Sequence, residues 1–433
     1  MIKETFTKKI AENTNLSKND AKQMTDLIIR SLTEILVAGK VLKISGFGVF
    51  RVVHKKQRMG RNPKNKEPHV ISPRRVASYL PSKYPCGRKR KLFSYTPEEI
   101  LSRFHEGCGG KMYKAISVYK WVYQRGVREP DAMTDIGKSL RSQIKNDLRF
   151  ELPKIETVLK STDGSYKFLY LMADGYKIET VAMNHDDHFS VCVSSQVGCA
   201  MGCKFCMTGT MGLKRNLTAA EIVGQVYQTA AYLAEREAKS LRNIVYMGMG
   251  EPFHNYENVV QSLRILINGN GMNFGNRRVT VSTSGLIPQI ERFLKEEKAN
   301  LAISLNSVDA QKRAELMPIS KKYPLEILLK TCREYTPELK KRITFEYIMM
   351  RGVNDSPEDA VSLSKLLQGI KAKINLIPYN MNNGLGFERS EENTVNSFQS
   401  YLLNRGFVAT VRYSKGQDIA AACGQLVNIK KTA

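Results

Sequence analysis

The sequence lacks the features of a membrane-spanning or exported protein. Its 433 residues contain no run of about eighteen consecutive apolar residues, the length that suggests a membrane-spanning helix. The first ten residues are mostly polar and include three lysines, so they offer no apolar core for a signal peptide. We therefore expect a cytoplasmic protein with no membrane partner.

Acidic residues are scarce relative to basic ones. The chain has 67 Lys and Arg against 41 Asp and Glu, a formal net charge of +26. A surplus of this size attracts polyanions over long distances, so nucleic acid is the expected partner. The apolar content of 42% is ordinary for a globular protein, and the length allows two or three domains.

A second Cys-x-x-Cys pair, typical of structural zinc sites, is also absent. The eight cysteines should be thiols or metal ligands, because disulfides are rare in a reducing compartment. Three of them, Cys199, Cys203 and Cys206, have the spacing C-x-x-x-C-x-x-C. A zinc knuckle with Cys192 as the fourth ligand is one interpretation of this stretch.

The spacing of these three cysteines also suits a 4Fe–4S cluster in which one iron has no protein thiolate. Such an iron can bind the amino and carboxylate groups of S-adenosylmethionine (SAM) and pass an electron to its sulfonium. We favour this interpretation, which predicts radical chemistry.

Short apolar runs alternate with helical patterns from residue 190 onward, as in a parallel sheet. The runs are 244–247, 279–281, 301–303, 343–347 and 374–377. Each run ends in small or polar residues, and barrel-like βα folds bind ligands where their strands end. We therefore expect an α/β fold with a partial (β/α) barrel.

The cofactor should lie across the loops that follow these runs. The expected contacts are Gly250, Glu251, Ser282, Ser304, Leu305, Asn306 and Asn380. Glu251 or its backbone is expected near the methionine amine. Glycine and serine end many strands for conformational reasons alone. These loops therefore indicate a cofactor site only in combination with the cysteine motif.

Basic charge is concentrated near the start of the chain, where residues 51–91 hold fourteen Lys and Arg and one acidic residue. The expected elements before and within this region are helices over 3–14 and 18–38 and strands over 41–44 and 49–52. Ser17 is the expected N-cap of the second helix, and Gly39 is its expected stop.

This front region resembles the HU and integration-host-factor family of DNA-bending proteins over roughly residues 1–91. The matching stretches are Gly46-Phe47-Gly48-Val49-Phe50 and Arg58-Met59-Gly60-Arg61-Asn62-Pro63. The resemblance implies an α+β fold, pairing of two chains, and arms that enter the minor groove. Pro63 would wedge between base steps while Arg58 and Arg61 contact phosphates. Binding driven by phosphates leaves open whether the polymer is DNA or folded RNA.

From about residue 95 to 430 the chain resembles the radical methyltransferases that modify adenine in RNA, most closely the RlmN type. Five stretches match in order: 178–181, 192–199, 248–252, 282–285 and 421–426. Asn306 departs from the family pattern, in which histidine often follows the Ser-Leu pair. The HU-like front is a second departure, and it bears on substrate choice more than on chemistry.

The resemblance implies methylation of carbon 2 of adenine in large-subunit ribosomal RNA, and in transfer RNA as well. Cys423 would take a methyl group from one SAM, and a 5′-deoxyadenosyl radical from a second would remove hydrogen from that methyl. Cys192 would then attack the sulfur of Cys423 to release the product. Glu179 would transfer a proton or hold the base. The cluster also needs an electron donor such as flavodoxin or ferredoxin.

Two other functions stay open from the residues alone. A Cfr-type enzyme shares the cysteines but methylates carbon 8 of the same base. A nucleic-acid-binding protein whose iron–sulfur cluster senses redox state would not turn over SAM.

The expected organisation has four parts. They are an HU-like domain (1–91), a helical RNA-binding accessory segment (92–150), a β-hairpin region (151–190) and the radical SAM barrel (191–433). The hairpin is expected because an Asp174-Gly175 turn separates the apolar runs 168–171 and 178–181.

Overall fold

The chain forms two compact units, Met1–Lys89 and Arg90–Ala433. The computed structural model describes residues 3–14, 16–44, 48–61, 68–81, 90–382 and 384–427. Each unit has its own sheet. The finer division of the second unit into three parts stays a prediction.

The first unit combines two helices with antiparallel strands. Its elements are α1 (Lys3–Asn13), α2 (Lys18–Val37), β1 (Leu42–Ile44), β2 (Gly48–Lys55), β3 (Arg58–Arg61), β4 (Pro68–Ile71) and β5 (Arg74–Pro81). The order in the sheet is β1-β2-β5, and β3 pairs with β4 separately. The predicted helices and strands are confirmed, although β2 continues three residues beyond its predicted end.

Local capping explains where α2 begins and ends. Ser17 Oγ accepts a hydrogen bond from the backbone N–H of Asp20 at 3.2 Å, as N-cap serines do. Gly39, just past the helix, has a left-handed φ of 72°, which costs glycine little. Both predictions are confirmed. The turn at 45–47 and the arm segment 62–67, which includes Pro63, lie outside the described residues.

The second unit contains the remaining helices. The α-helices are α3 (Pro97–Arg103), α4 (His105–Cys108), α5 (Met112–Tyr123), α6 (Lys138–Asp147), α7 (Met207–Thr210), α8 (Ala219–Arg236), α9 (Tyr256–Ile267), α10 (Ile287–Glu296), α11 (Ala310–Leu316), α12 (Leu325–Tyr335), α13 (Pro357–Leu366) and α14 (Glu392–Asn404). Short 3-10 turns cover Leu92–Ser94, Pro130–Ala132, Pro252–Asn255, Asn276–Arg278, Pro318–Lys321, Thr336–Glu338 and Gln417–Ile419. Among the helices that the structure describes, none combines the length and the apolarity needed to cross a membrane.

The strands of the second unit are β6 (Arg90–Lys91), β7 (Leu148–Arg149), β8 (Lys154–Lys160), β9 (Tyr166–Leu171), β10 (Lys177–Asn184), β11 (Phe189–Cys192), β12 (Gln196–Val197), β13 (Arg215–Asn216), β14 (Leu241–Tyr246), β15 (Val279–Thr283), β16 (Asn300–Ser304), β17 (Ile343–Met349), β18 (Ala372–Pro378) and β19 (Val408–Val411). The main sheet has the order β19-β18-β17-β16-β15-β14-β11-β10-β9-β8. Strands β11 and β14 to β19 run parallel, and β8 to β11 are joined by antiparallel pairing. The predicted α/β fold and the predicted hairpin are confirmed.

The parallel part of the sheet is deeply buried. Ile303, Phe345 and Ile374 are register partners across three neighbouring strands, and all three side chains are inaccessible to solvent. Burial of this kind explains why these strands read as apolar runs in the sequence. Since the strands are parallel, their carboxyl ends share one edge of the sheet. Cys192 ends β11 at that edge.

Candidate active site

The three predicted cluster ligands lie on the loop between β12 and α7. Gly198 begins this loop with a left-handed φ of 74°. A Cβ at that position would lie 1.9 Å from the carbonyl oxygen of Gly212, so only glycine fits. The backbone N–H of Cys206 donates a hydrogen bond to the carbonyl oxygen of Cys203 at 3.2 Å, which places both residues in one turn. Cys199 is buried.

The surroundings of these thiols suit metal ligands. Burial raises the pKa of all three, to about 12 for Cys199. The thiols of Cys206 and Cys199 raise the pKa of Cys203 further, so the sulfur atoms are close enough to interact electrostatically. Thiolates are disfavoured here without a cation, and a bound metal deprotonates cysteine. The donor set therefore fits an iron–sulfur cluster.

Within the described ranges, no group of three or more His, Cys, Asp or Glu side chains is arranged to hold a metal ion. The role of Cys199, Cys203 and Cys206 as cluster ligands therefore stays a prediction.

Glu251 joins the ends of two parallel strands. Its Oε1 accepts a hydrogen bond from the N–H of Phe253 at 3.0 Å, and its Oε2 accepts one from the N–H of Ser284 at 2.8 Å. Burial raises the pKa of this carboxyl, and the backbone donors oppose the rise. Gly250 has a φ of 98°, and a Cβ there would lie 2.5 Å from Gln196 Cβ. The loop therefore packs too closely for any other residue.

Asn380 Oδ1, after β18, is buried and has no hydrogen-bond partner among the described residues. Buried polar groups are almost always paired, so this atom indicates room for a polar group of a bound molecule. SAM carries amino, carboxylate and hydroxyl groups and fits this requirement. The side chain of Ser284, after β15, lies close enough to Glu251 to lower the pKa of that carboxyl. Ser282 and Ser304, both half-buried, lie in the last two residues of β15 and β16.

Asn306 is engaged by the protein at both ends of its amide. Its Oδ1 accepts a hydrogen bond from the N–H of Ile348 at 2.9 Å, and its Nδ2 lies 3.4 Å from Met317 Sδ. Its φ is 56°, a left-handed conformation that asparagine tolerates better than most residues. Leu305 is fully buried. The predicted cofactor contacts of these two residues stay predictions.

Arg313 of α11 is fully buried, and the sequence analysis did not identify it. Its guanidinium donates hydrogen bonds to the carbonyl oxygens of Leu305 (2.9 Å), Ser284 (2.9 Å) and Ser304 (2.8 Å) and to Ser320 Oγ. Burial lowers its pKa to about 10, and the nearby Cys203 opposes this. Arg313 thus ties together the ends of β15 and β16. One arginine on a two-turn helix gives no sequence signal for such a role.

Cys192 and Cys423 come from distant parts of the chain. Cys192 is half-buried at the end of β11, where burial raises its pKa to about 12. Cys423 follows β19 as an exposed residue, but protein atoms surround its thiol. Desolvation therefore raises the pKa of Cys423, and Cys206 and Cys192 raise it further. Their influence means that Cys423 lies near both Cys192 and the cluster-ligand loop.

Two hydrogen bonds hold the Cys423 loop in place. The N–H of Met207, the first residue of α7, donates to the carbonyl oxygen of Gly424 at 2.8 Å. Asn380 Nδ2 donates to the carbonyl oxygen of Cys423 at 3.1 Å. The loop is therefore fixed against the helix that directly follows the cysteine motif.

Glu179 of β10 is buried beside the same loop. Its Oε1 lies 3.2 Å from Lys167 Nζ of β9, and its Oε2 accepts a hydrogen bond from the N–H of Val427 at 2.9 Å. Burial raises the pKa of Glu179, and Lys167 and the Val427 N–H oppose the rise. Lys167 could not be identified from the sequence, because a lysine in a strand pattern normally faces solvent.

The first unit holds the predicted nucleic-acid contacts. Arg58 and Arg61 are the first and last residues of β3, opposite Ile71 and Pro68 of β4. Pro63 lies outside the described residues.

Three family models match the chain. The model described as "Radical SAM superfamily" matches residues 193–363. "Ribosomal RNA large subunit methyltransferase N-terminal domain" matches 91–149, and "Bacterial DNA-binding protein" matches 1–85. Radical SAM proteins use a 4Fe–4S cluster and SAM, in agreement with the donor set of the cysteine loop.

Individual relatives cover most of the chain. "Dual-specificity RNA methyltransferase RlmN" of Syntrophotalea carbinolica is 48% identical over 336 residues, which cover 77% of this chain and 89% of that protein. "Dual-specificity RNA methyltransferase RlmN 2" of Myxococcus xanthus is 46% identical over 341 residues, which cover 77% of this chain and 90% of that protein. The crystal structure of a radical SAM methyltransferase from Sphaerobacter thermophilus matches with a TM-score of 0.72 and 44% identity, covering 78% of this chain and 99% of that one. The chain therefore belongs to the RlmN family of radical SAM RNA methyltransferases.

Proposed function

We propose that the protein methylates carbon 2 of adenine in large-subunit ribosomal RNA and in transfer RNA, through a methylated Cys423. The observation that carries this proposal is the 2.8 Å hydrogen bond from the Met207 N–H to the Gly424 carbonyl oxygen, which holds Cys423 next to the loop of Cys199, Cys203 and Cys206. Carbon 2 of adenine is electron-poor and has no acidic proton, so it cannot attack a sulfonium methyl directly. A radical route avoids this difficulty. It needs a thiol that carries the methyl group, here Cys423, and a second thiol, here Cys192, to release the product.

The chain offers separate groups for the two cofactors. Cys199, Cys203 and Cys206 would hold the cluster, and the strand-end loops with Asn380 would hold SAM. When bound, the cluster and SAM supply the one-electron chemistry that activates an otherwise inert methyl group. An external donor such as flavodoxin or ferredoxin would provide the electron.

Cys423 acts as the methyl carrier. Its sulfur would lose its proton and take the methyl group of one SAM, and a second would be consumed when hydrogen is removed from that methyl, so two would be used per turnover. The residue as a whole is exposed although its thiol is crowded by protein, so a base would approach from the exposed side of the residue. Its loop is held by Met207 and Asn380, so the methyl carbon can be kept at one position while it bonds to carbon 2.

Glu179 and Cys192 would complete the reaction. Glu179 would take the proton from carbon 2, and the one electron that the adduct loses would return to the iron–sulfur cluster. The raised pKa of Glu179 makes it a stronger proton acceptor than a solvated carboxylate. Cys192 then attacks Cys423 Sγ, and the sulfur–carbon bond breaks with its electron pair on carbon, which takes a proton to form the methyl group. The two cysteines are left as a disulfide, which an external thiol reduces.

RNA as the substrate is supported by two observations. The relatives are named dual-specificity RNA methyltransferases, and the family model over residues 91–149 is named for the large ribosomal RNA. The net charge of +26 favours a polyanionic substrate.

The first unit would add general nucleic-acid affinity and pair with a second copy. Its match to bacterial DNA-binding proteins supports the first role. For the second, α2 exposes Leu27, Ile28 and Ile29, whereas Ala21 and Thr25 are its only buried side chains within the described residues. A second copy would cover this apolar face.

Nucleoside analysis tests the proposed function. Ribosomal and transfer RNA from a strain lacking the protein are digested, and methyladenosines are resolved by mass spectrometry. We expect 2-methyladenosine to be absent and to return with the unaltered protein or with Cys332→Ala, a buried thiol of α12. Cys423→Ala should not restore it.

Other outcomes would identify the alternatives. Recovery of 8-methyladenosine instead would indicate Cfr-type chemistry. If neither nucleoside returns and the reduced protein makes no 5′-deoxyadenosine from SAM, the enzyme proposal is wrong and a redox-sensing role is favoured.

A further inference from the structure

The segment that carries Cys423 is fastened to the antiparallel hairpins by polar contacts. At its start, the N–H of Gly416 donates to Asp163 Oδ2 at 2.8 Å. The N–H of Thr162 donates to Asp418 Oδ2 at 3.0 Å. Both partners on the hairpin side belong to the turn between β8 and β9. Neither contact reaches the residues next to Cys423.

One ion pair holds the segment on both sides of Cys423. Lys167 and Glu179 lie on the neighbouring strands β9 and β10, with side chains only 11% and 7% exposed. Lys167 Nζ donates to the carbonyl oxygen of Ala420 at 3.2 Å, and Glu179 Oε2 accepts from the N–H of Val427 at 2.9 Å. Cys423 stands between these two anchor points.

The backbone at the first anchor is strained. Ala420 has a φ of 50°, a left-handed conformation that disfavours residues with a Cβ. Such conformations persist where surrounding contacts over-determine them, and they concentrate at functional sites. The hydrogen bond from Lys167 to the Ala420 carbonyl is one contact that holds this conformation.

We propose that Lys167 is a positioning residue whose ion pair with Glu179 clamps the loop of Cys423 at both ends. The clamp keeps the Cys423 sulfur beside Cys206 and Cys192. This inference rests on the proposed function for its catalytic consequence but not for its structural one. Without the lysine, Glu179 would be buried with no cation and would favour its neutral form. Ala420 would also lose a partner.

Hydrogen exchange of the full-length, cluster-loaded protein tests the clamp. In Lys167→Met we expect exchange over residues 416–427 to rise by about tenfold, the effect of losing one hydrogen bond of ordinary strength. The kcat for RNA methylation should fall while the KM for RNA stays unchanged. Lys167→Arg should restore part of both, since its guanidinium can donate to Glu179 and Ala420 together.

Lys177→Met is the matched control. Lys177 pairs with Glu156 Oε1 at 2.8 Å on the same hairpins, and both side chains are half-buried. This pair does not contact the Cys423 segment, so exchange and kcat should match those of the unaltered protein.

Two results would overturn the clamp. The first is that Lys167→Met leaves the hydrogen-exchange rate of residues 416–427 unchanged. The second is that Lys177→Met raises this rate as much as Lys167→Met does. If Lys167→Met does not fold, Lys167→Gln combined with Glu179→Gln removes both charges, and exchange over 416–427 must still rise. If the unaltered protein makes no methyladenosine, the proposed function fails, while the exchange comparison still tests the clamp.

Discussion

Asn380 Nδ2 donates a hydrogen bond to the carbonyl oxygen of Cys423 at 3.1 Å. The same nitrogen donates to Ser414 Oγ at 2.9 Å, and the other end of the amide, Oδ1, is buried without a partner among the described residues. Asn380 therefore contacts both the Cys423 loop and the edge of the sheet where the cofactor is proposed to lie.

Replacing Asn380 with alanine should lower the methylation rate at saturating RNA by about tenfold or more, because the Cys423 loop loses a buried hydrogen-bond donor. Gln399→Ala is the control, since Gln399 Nε2 makes a similar bond to the Ala409 carbonyl at 3.0 Å in another part of the unit. The measurement is the initial rate together with the methylated fraction of Cys423 by peptide mass spectrometry. Equal rates for the two variants would contradict the role of Asn380.

Arg313→Met should destabilise the second unit by about 3 kcal/mol or more, because three buried carbonyl oxygens lose their donor. Arg351→Met is the control. Its pair with Glu391 is exposed on both sides, and such pairs contribute at most about 1 kcal/mol. Urea unfolding followed by fluorescence of Trp121, the only tryptophan, reports on this unit. The prediction is wrong if Arg313→Met lowers the free energy of unfolding no more than Arg351→Met does.

Glu346 should make stability fall as pH rises. Burial raises its pKa in the folded protein, and Asn375 Nδ2, which donates to it at 2.9 Å, opposes the rise. Between the unfolded pKa near 4.5 and the higher folded pKa, the folded state binds more protons, so stability decreases with increasing pH. Glu346→Gln should therefore gain stability relative to the unaltered protein between pH 5 and pH 8.

The measurement for Glu346→Gln is the urea midpoint at both pH values. Glu388→Gln, at an exposed position, serves as the control. A midpoint difference that is the same at both pH values would show that Glu346 does not contribute to the pH dependence.

Arg58→Gln combined with Arg61→Gln should weaken binding to duplex DNA and reduce its salt dependence. Each lost phosphate contact lowers the slope of log K against log salt by about 0.9. Lys8→Gln, on the exposed side of α1, should leave the slope unchanged. Titrations at several salt concentrations measure the slope, and an unaltered slope in the double variant would remove these arginines from the interface.

Leu27→Glu should convert a dimer of the full-length protein into a monomer, because it places a charge on the apolar face of α2. Leu403→Glu, at an exposed leucine of α14, is the control. Sedimentation velocity measures the mass. If the unaltered protein is already monomeric, the pairing proposal is wrong.

The parallel strands could be predicted from the sequence because strands buried on both faces consist of short runs of apolar residues. The run 343–347 is apolar because β17 has neighbours on both sides and packing above and below. Strand β8 escaped prediction, since most of its residues are exposed and carry little apolar pattern. The cysteine motif could be read because its three cysteines are close together in the sequence.

Lys167 and Arg313 could not be predicted, because both donate to backbone carbonyl oxygens. Lys167 contacts Ala420, which lies far away in the chain, and Arg313 contacts carbonyl oxygens at the ends of β15 and β16. Every residue has a backbone carbonyl, so the sequence does not show which carbonyl a buried side chain will bind. Asn306 was expected at the cofactor from its place in a loop, whereas its amide bonds depend on the later strand β17.

The anchoring of the Cys423 loop to strands made much earlier has a consequence for biosynthesis. A ribosome releases the cysteine motif and the hairpins long before it makes Cys423. The strands and the loop of Cys199, Cys203 and Cys206 can thus assemble before the segment that carries Cys423 leaves the exit tunnel. Cys423 joins the proposed active site only when that segment arrives, so chains truncated before it are expected to have no methyltransferase activity.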